Sequence, residues 1–451
     1  MKNTKFKKVL GKKDVFVMAF GAMIGWGWVV MAGDWITTAG SLGACAAFLI
    51  GSILVLFMGL IYAELTSAMP KCGGEHVFSM KALGSKGSFI CTWSIILGYV
   101  GVVAFEACAL PTVIQYLVPN FLAGYMYTVA GFDVYASWVI TGVLSSIVIT
   151  IINCIGLLAA ARFQKILTAI IAAVGIALIA GAVLSGDVSN AQPLVFDGFN
   201  GILSVAVMTP FMFVGFDVIP QAAEEINIPF KQVGRIVLFS IFLAAVWYIA
   251  IILAVSVLLP KAEYANSVLI TADALKAAFF NSDAAAKVVI IGGVAGIVTS
   301  WNSFFVGGSR AIYAMAESNM LPKMLAQVRG KNKVPLNAVL LIGIISAAAP
   351  FFGRAMMVWL TNAGSLGVVA AYFLIAVSYL ILRKKEPDMK RPYKVKYGWF
   401  VGIMGIFCSG FMLILYTPGM PSGLEKEEML IVLFWMVLGM FFYQVSAVKI
   451  E

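Results

Sequence analysis

Gly21-Ala-Met-Ile-Gly25-Trp-Gly27-Trp28 and Pro210-Phe-Met-Phe213-Val-Gly215-Phe-Asp217-Val-Ile-Pro220 are the two stretches that decide the fold. Each lies inside a long apolar run. Glycine weakens a helix by about 1 kcal/mol relative to alanine, and proline by about 3. Two such clusters, each opening one half of the chain, read as interrupted helices. Bare backbone at membrane depth is tolerated where it lines a cavity, and paired interruptions in two halves point to a transporter's midplane site. The alternative is that the glycines only let helices pack closely.

The surroundings support a membrane setting. Of 451 residues, 62% are hydrophobic and 12% charged, against about 25% charged in a soluble domain. The runs are continuous, as in Val237 to Leu259 and Leu430 to Val448. Strands of a membrane barrel alternate instead. A crossing takes roughly 20 helical residues. Twelve runs qualify, near 15–38, 43–67, 88–118, 136–158, 163–185, 201–222, 233–259, 287–315, 334–352, 356–382, 397–417 and 428–447. The expected fold class is an all-α polytopic membrane protein of twelve spans.

An even span number puts both termini on one side. With the N-terminus inside, all but five of the 31 Lys and Arg lie in or beside cytoplasmic segments; the five are Lys261, Lys276, Lys287, Arg354 and Lys426. This is the positive-inside pattern. It predicts a multi-pass protein of the cell membrane with both termini cytoplasmic. The net charge of +10 is then an orientation signal and not a nucleic-acid footprint. The basic run Arg383 to Lys396 reads as a cytoplasmic loop near anionic lipid. The six cysteines form no CxxC pair, and the single histidine, His76, lies in a loop. Neither a metal site nor a histidine relay is expected. An intramembrane enzyme would need a nucleophile–base or metal-ligand set, which is missing. A channel would want a symmetric filter or charge ring, and this chain shows a two-half plan instead.

Ala63-Glu-Leu-Thr-Ser-Ala-Met-Pro-Lys-Cys-Gly-Gly-Glu-His-Val-Phe-Ser-Met-Lys-Ala-Leu-Gly84 resembles the loop after the second span of the amino acid–polyamine–organocation (APC) transporters. Gly21 to Gly27 resembles their first-span signature, Phe213 to Glu225 their sixth, and Ser309-Arg-Ala-Ile-Tyr-Ala-Met-Ala316 the end of their eighth. The matches run in family order over spans 1 to 10. The resemblance implies a LeuT-type fold with a 5+5 inverted repeat and alternating access. Its expected parts are a cytoplasmic tail (1–14), repeat 1 (15–185), repeat 2 (201–383) with discontinuous spans 1 and 6, and appended spans 11–12 (397–447).

A zwitterionic cargo needs donors for its carboxylate and acceptors for its ammonium. Half-helix ends supply both without ionised side chains. The outer half of span 1 begins near Gly25 to Trp28, whose amides can hold a carboxylate; the resemblance carries over Met23, Ile24, Gly25 and Gly27. The outer half of span 6 ends near Phe211, Phe213 and Val214, whose carbonyls can accept from an ammonium. Trp26 and Trp28 stand where the family often has small residues; they either hold a cation over their rings or pack outward. Trp301, nine residues before Arg310, matches a tryptophan that packs against a cationic side chain in the arginine/agmatine exchanger branch, or is a buried packing residue. Phe211 matches an aromatic that closes over substrate, with core packing as the alternative.

Ionisable residues within a membrane are costly and usually functional. Glu106, mid-span 3, attracts a cation, carries a coupling proton, or bonds a neighbouring helix. Asp217 caps the inner half of span 6 or serves coupling or gating. Asp34 and Glu64 read as structural, and Glu224 and Glu225 as partners of Lys231 or Arg235. Many proton-coupled relatives place a lysine in span 5 at a position that here looks like Ile171, whereas Lys165 lies at the cytoplasmic edge. The adjacent hydroxyls Thr299 and Ser300 resemble the ligands of sodium-coupled relatives, hard cations preferring oxygen. No cofactor is expected beyond a coupling ion, proton or sodium. The expected partners are a small-molecule substrate, an amino acid or small organic amine, and membrane lipid, with no nucleic acid and no obligate protein partner. The function expected is secondary active transport by symport or exchange. A carrier specialised for a cationic amine is the alternative, and a channel a distant one.

Overall fold

The structure is a computed structural model that describes residues 6–118, 120–264, 267, 269–420 and 423–445. Helices dominate. In chain order they are α1 (Lys12–Met23), α2 (Gly27–Ala39), α3 (Ser41–Ala68), α4 (Glu75–Leu117), α5 (Ala136–Ile155), α6 (Leu157–Ser185), α7 (Gly198–Ala206), α8 (Thr209–Phe213) and α9 (Val218–Gln221). The second half comprises α10 (Phe230–Leu258), α11 (Lys261–Tyr264), α12 (Ile270–Ala278), α13 (Asp283–Glu317), α14 (Leu336–Ala348), α15 (Ala355–Lys385), α16 (Gly398–Leu415) and α17 (Lys426–Val445). Among the described residues, ten helical units are long and apolar enough to cross a membrane, and the bent pair α1–α2 makes an eleventh. This is a polytopic all-α membrane protein. The expected run 334–352 corresponds to α14 and a 3-10 turn through Phe352, because Pro350 ends the regular helix.

Small residues set the packing. Helices in lipid associate by close van der Waals approach rather than by a hydrophobic drive. α4 and α15 meet through Gly98, Gly101, Gly364 and Gly367; a Cβ on Gly364 would lie 3.6 Å from the Gly98 Cα, and one on Gly367 only 2.5 Å from the Ser94 carbonyl oxygen. α13 packs against both α4 and α6, and α10 against α3. α13 also packs against α1 and α9, and α1 against α9, so spans 1, 3, 6 and 8 converge.

Three features add to or differ from the sequence expectations. The connector 119–135 contains an antiparallel hairpin, β1 (Tyr125–Val129) and β2 (Phe132–Tyr135). The Tyr127 hydroxyl of this hairpin donates to the Phe351 carbonyl at 2.6 Å. α4 begins at Glu75 rather than near 88, with Gly84 at φ 74° breaking it; polar Glu75, His76 and Ser79 are buried in that first segment. The tail is tied down at Val9 and Leu10, whose amides both donate to the Glu225 carbonyl, and Phe6 packs edge-on against Tyr313.

Candidate functional site

α1 stops at Met23 and α2 starts at Gly27, with a bend of 42° between them. The amides of Gly27 and Trp28 open α2 and have no partner within it. In the sixth unit, α8 ends at Phe213 and Val214 turns extended (φ −61°, ψ 141°). Gly215 follows at φ 134°, a conformation essentially restricted to glycine. The two interruptions touch. A Cβ on Gly215 would lie 2.6 Å from the Ala22 Cβ and 3.2 Å from the Met23 amide nitrogen. A Cβ on Gly27 would lie 2.6 Å from the Met212 sulfur. Tyr248 of α10 ties the pair together, its hydroxyl lying 2.6 Å from the Met23 carbonyl oxygen and 3.1 Å from that of Met212.

Glu106 lies beside this junction. The Ser300 hydroxyl donates to its Oε1, and a Cβ on Gly25 would be 3.0 Å from the Ser300 Oγ. Gly25 also rests on Gly296. Glu106 Oε2 is buried with no hydrogen-bond partner among the described residues. A buried carboxylate so placed is stable only with a proton or a cation beside it. Phe105 and Phe211 meet edge to face at 6.2 Å. The structure thus brings together Met23, Gly25, Gly27, Glu106, Phe211 and Ser300, while Ile24 and Val214 are buried in the two interruptions.

The other expected site residues make packing and hydrogen-bond contacts of their own. The Trp301 indole donates to Ser346 Oγ at 3.2 Å, facing α14. It is one residue from Ser300, a step of about 100° around a helix. Trp28 packs edge-on against Trp247 and donates to the Ile24 carbonyl. The Trp26 ring covers Gly293. Phe213 packs on Phe48 and Tyr248. The Thr299 and Ser300 hydroxyls both turn back onto the Gly296 carbonyl, at 2.8 and 3.1 Å, and Ser300 also reaches Glu106.

Asp217 belongs to a second polar cluster. It accepts from the Gly215 amide at 3.0 Å and from the Tyr372 hydroxyl at 3.2 Å. Glu75, fully buried nearby, accepts from the Tyr62 hydroxyl at 2.9 Å and from Gln221 Nε2. The Tyr62 and Tyr372 rings are 5.8 Å apart. No ion pair neutralises either acid among the described residues. Glu75 was missed as a site candidate because its segment reads as a loop; its signal was an acid opening an apolar helix after Gly73-Gly74.

Ion pairs hold several of the other acids. Glu225 pairs with Arg310 at 2.9 Å, both fully buried, and not with Lys231 or Arg235. The reason is direction: Arg310 projects into the bundle, whereas Lys231 and Arg235 are exposed on α10. Glu64 takes Arg383 at 2.5 Å and Arg391 at 3.0 Å. Lys165 pairs with Asp14 at 2.7 Å, and Ile171 packs against Gly296.

Comparison with known proteins agrees with this architecture. The amino acid permease family profile matches residues 10–442. The branched-chain amino acid permease BcaP of Bacillus subtilis is 28% identical over 450 residues, spanning 97% of this chain and 92% of the relative. The methylthioribose transporter of the same organism is 26% identical, spanning 93% and 90%. Cationic amino acid transporter 4 of Mus musculus is 24% identical, spanning 84% of this chain and 60% of the relative. With the match running through both interruptions and every apolar helix between them, the chain belongs to the amino acid permease family of the APC superfamily and is a transporter rather than an enzyme.

Proposed function

We propose that this chain is a twelve-span secondary carrier that moves amino acids across the cell membrane by alternating access. Spans 1–5 and 6–10 form an inverted repeat, and both termini are cytoplasmic. The observation carrying this reading is the contact of Gly215 with Ala22 and Met23, which sets two interrupted helices face to face beside the unpartnered Glu106 Oε2. The substrate carboxylate takes the amides of Gly25 to Trp28, where the α2 dipole favours negative charge. Its ammonium turns toward the end of α8 at Phe213 and Val214. Met23, Ile24 and Phe211 supply apolar contact. The names of the relatives, a branched-chain amino acid permease and cationic amino acid transporters, support amino acids as the cargo class.

Glu106 carries the coupling proton, and Asp217 gates the inner half of the sixth span. One observation favours a second reading, a cargo with a cationic side chain: the open Glu106 Oε2 has no cation of its own. The tryptophans that would join it in a cation-holding cage are engaged in packing, which supports the first reading. Counterflow into liposomes, with and without a pH gradient, separates the two. Glu106→Gln is expected to abolish the response to the gradient while leaving neutral amino acid exchange. Loss confined to cationic substrates would replace the first reading with the second. An undiminished gradient response would remove Glu106 from coupling.

A further inference from the structure

The basic run Arg383 to Lys396 divides in two. Arg383 and Arg391 turn inward to Glu64, which also accepts from the Val395 amide at 2.7 Å. The Tyr393 amide donates to Ser67 Oγ at 3.0 Å. These bonds clamp the loop to the end of α3 and hold its remaining bases in place. The clamped loop, with α3, α10 and α16, encloses a recess of about 700 Å³ lined by Lys231, Arg235, Lys394, Lys396, Tyr393 and Phe400, among others.

Four cationic side chains line this recess, and no acid does. None of the four pairs with a carboxylate among the described residues. Two helix N-termini converge there as well. Lys231 is the second residue of α10, with Arg235 one turn on, and Lys396 lies two residues before α16. Positive charge at a helix N-terminus is unfavourable on its own, and backbone amides there attract anions. The arrangement is therefore complementary to an anion. The rest of the lining includes the apolar Leu60, Phe400 and Val401. It continues into Trp399, Ile403 and Phe407, all exposed on α16. Aromatic side chains of this kind concentrate at membrane interfaces.

We propose that this recess is a binding site for one anionic phospholipid, its phosphodiester held by Arg235, Lys231, Lys394 and Lys396 and its acyl chains running along α16. The placement at the cytoplasmic leaflet rests on the orientation proposed above; the binding itself does not require transport.

The test is native mass spectrometry of the purified full chain with added phosphatidylglycerol, phosphatidylcholine or inorganic phosphate. The wild type is expected to retain phosphatidylglycerol and not phosphatidylcholine. Arg235→Gln with Lys394→Gln should weaken retention roughly thirtyfold, at about 1 kcal/mol per basic contact. Lys384→Gln with Lys385→Gln removes the same charge from exposed positions outside the recess and should leave retention intact. Both double variants should unfold thermally like the wild type in lipid-free detergent. Equal losses in the two would overturn the site in favour of diffuse attraction. Unchanged retention in the first would overturn it outright. Inorganic phosphate binding as tightly as the lipid would make it a free-anion site. A chain that binds the lipid but transports nothing would sink only the carrier reading.

Discussion

Gly215→Ala tests the meeting of the two interruptions. At φ 134° a side chain costs about 1–3 kcal/mol in backbone strain. The added Cβ would also lie 2.6 Å from the Ala22 Cβ and 3.1 Å from the Ala22 carbonyl carbon. Comfortable carbon contacts are about 3.5–4.0 Å, so the end of α1 must retreat by about 1 Å or the sixth unit must move. Overpacking of this kind costs about 1–3 kcal/mol. The sum, about 2–6 kcal/mol, is a large part of the 5–15 that a folded protein typically has. Gly131→Ala is the control: its φ is 80° with no atom within 4 Å of the added Cβ, so it carries the strain without the collision. Thermal unfolding of both variants and amino acid binding by Gly215→Ala are the assays. Gly215→Ala should unfold at a clearly lower temperature than Gly131→Ala and lose at least about tenfold in affinity, equivalent to about 1.4 kcal/mol. Wild-type affinity in a folded Gly215→Ala protein would refute the placement of the substrate between the interruptions.

Other substitutions probe the supports of the site. Arg310→Leu strands the buried Glu225 and should cost about 3–5 kcal/mol in thermal unfolding, much of it recovered when Glu225→Leu is added; equal losses in single and double variants would contradict the pairing. Tyr248→Phe removes the hydroxyl shared by the Met23 and Met212 carbonyls and should cost about 1–3 kcal/mol, with weaker substrate binding; unchanged unfolding and binding would release Tyr248 from the junction. Burial pushes the Glu224 carboxyl above its ordinary range, with Glu317 adding repulsion. The folded chain then holds that proton more tightly than the unfolded one, so stability falls as pH rises from the ordinary carboxylate value through the raised one. Glu224→Gln should flatten that part of the unfolding-temperature profile, and an unaltered profile would contradict it.

Much of the fold was legible because glycine and proline act on the chain locally. Gly25, Gly27, Gly215 and Pro210 mark the interruptions wherever the helices go, and apolar length marks the membrane units. Side-chain direction was not legible. Ser300 and Trp301 are neighbours in sequence, yet one meets Glu106 and the other meets Ser346. The cluster of Glu75, Tyr62, Tyr372 and Asp217 was equally hidden, since its members come from four helical units spread over some two-thirds of the chain and only Asp217 stands out in its own segment. Arg310 and Glu225, 85 residues apart, find each other only through the packing of α13 against the end of the sixth unit. The hairpin Tyr125–Tyr135 is not legible because its strands are too short for a clear alternation.

A structure determined with an amino acid bound measures the central claim most directly. The substrate carboxylate should lie within about 3 Å of amide nitrogens among Gly25 to Trp28, with its ammonium at the end of α8. Density for the amino acid at any other place, with the two interruptions still in contact and unoccupied, would contradict the account.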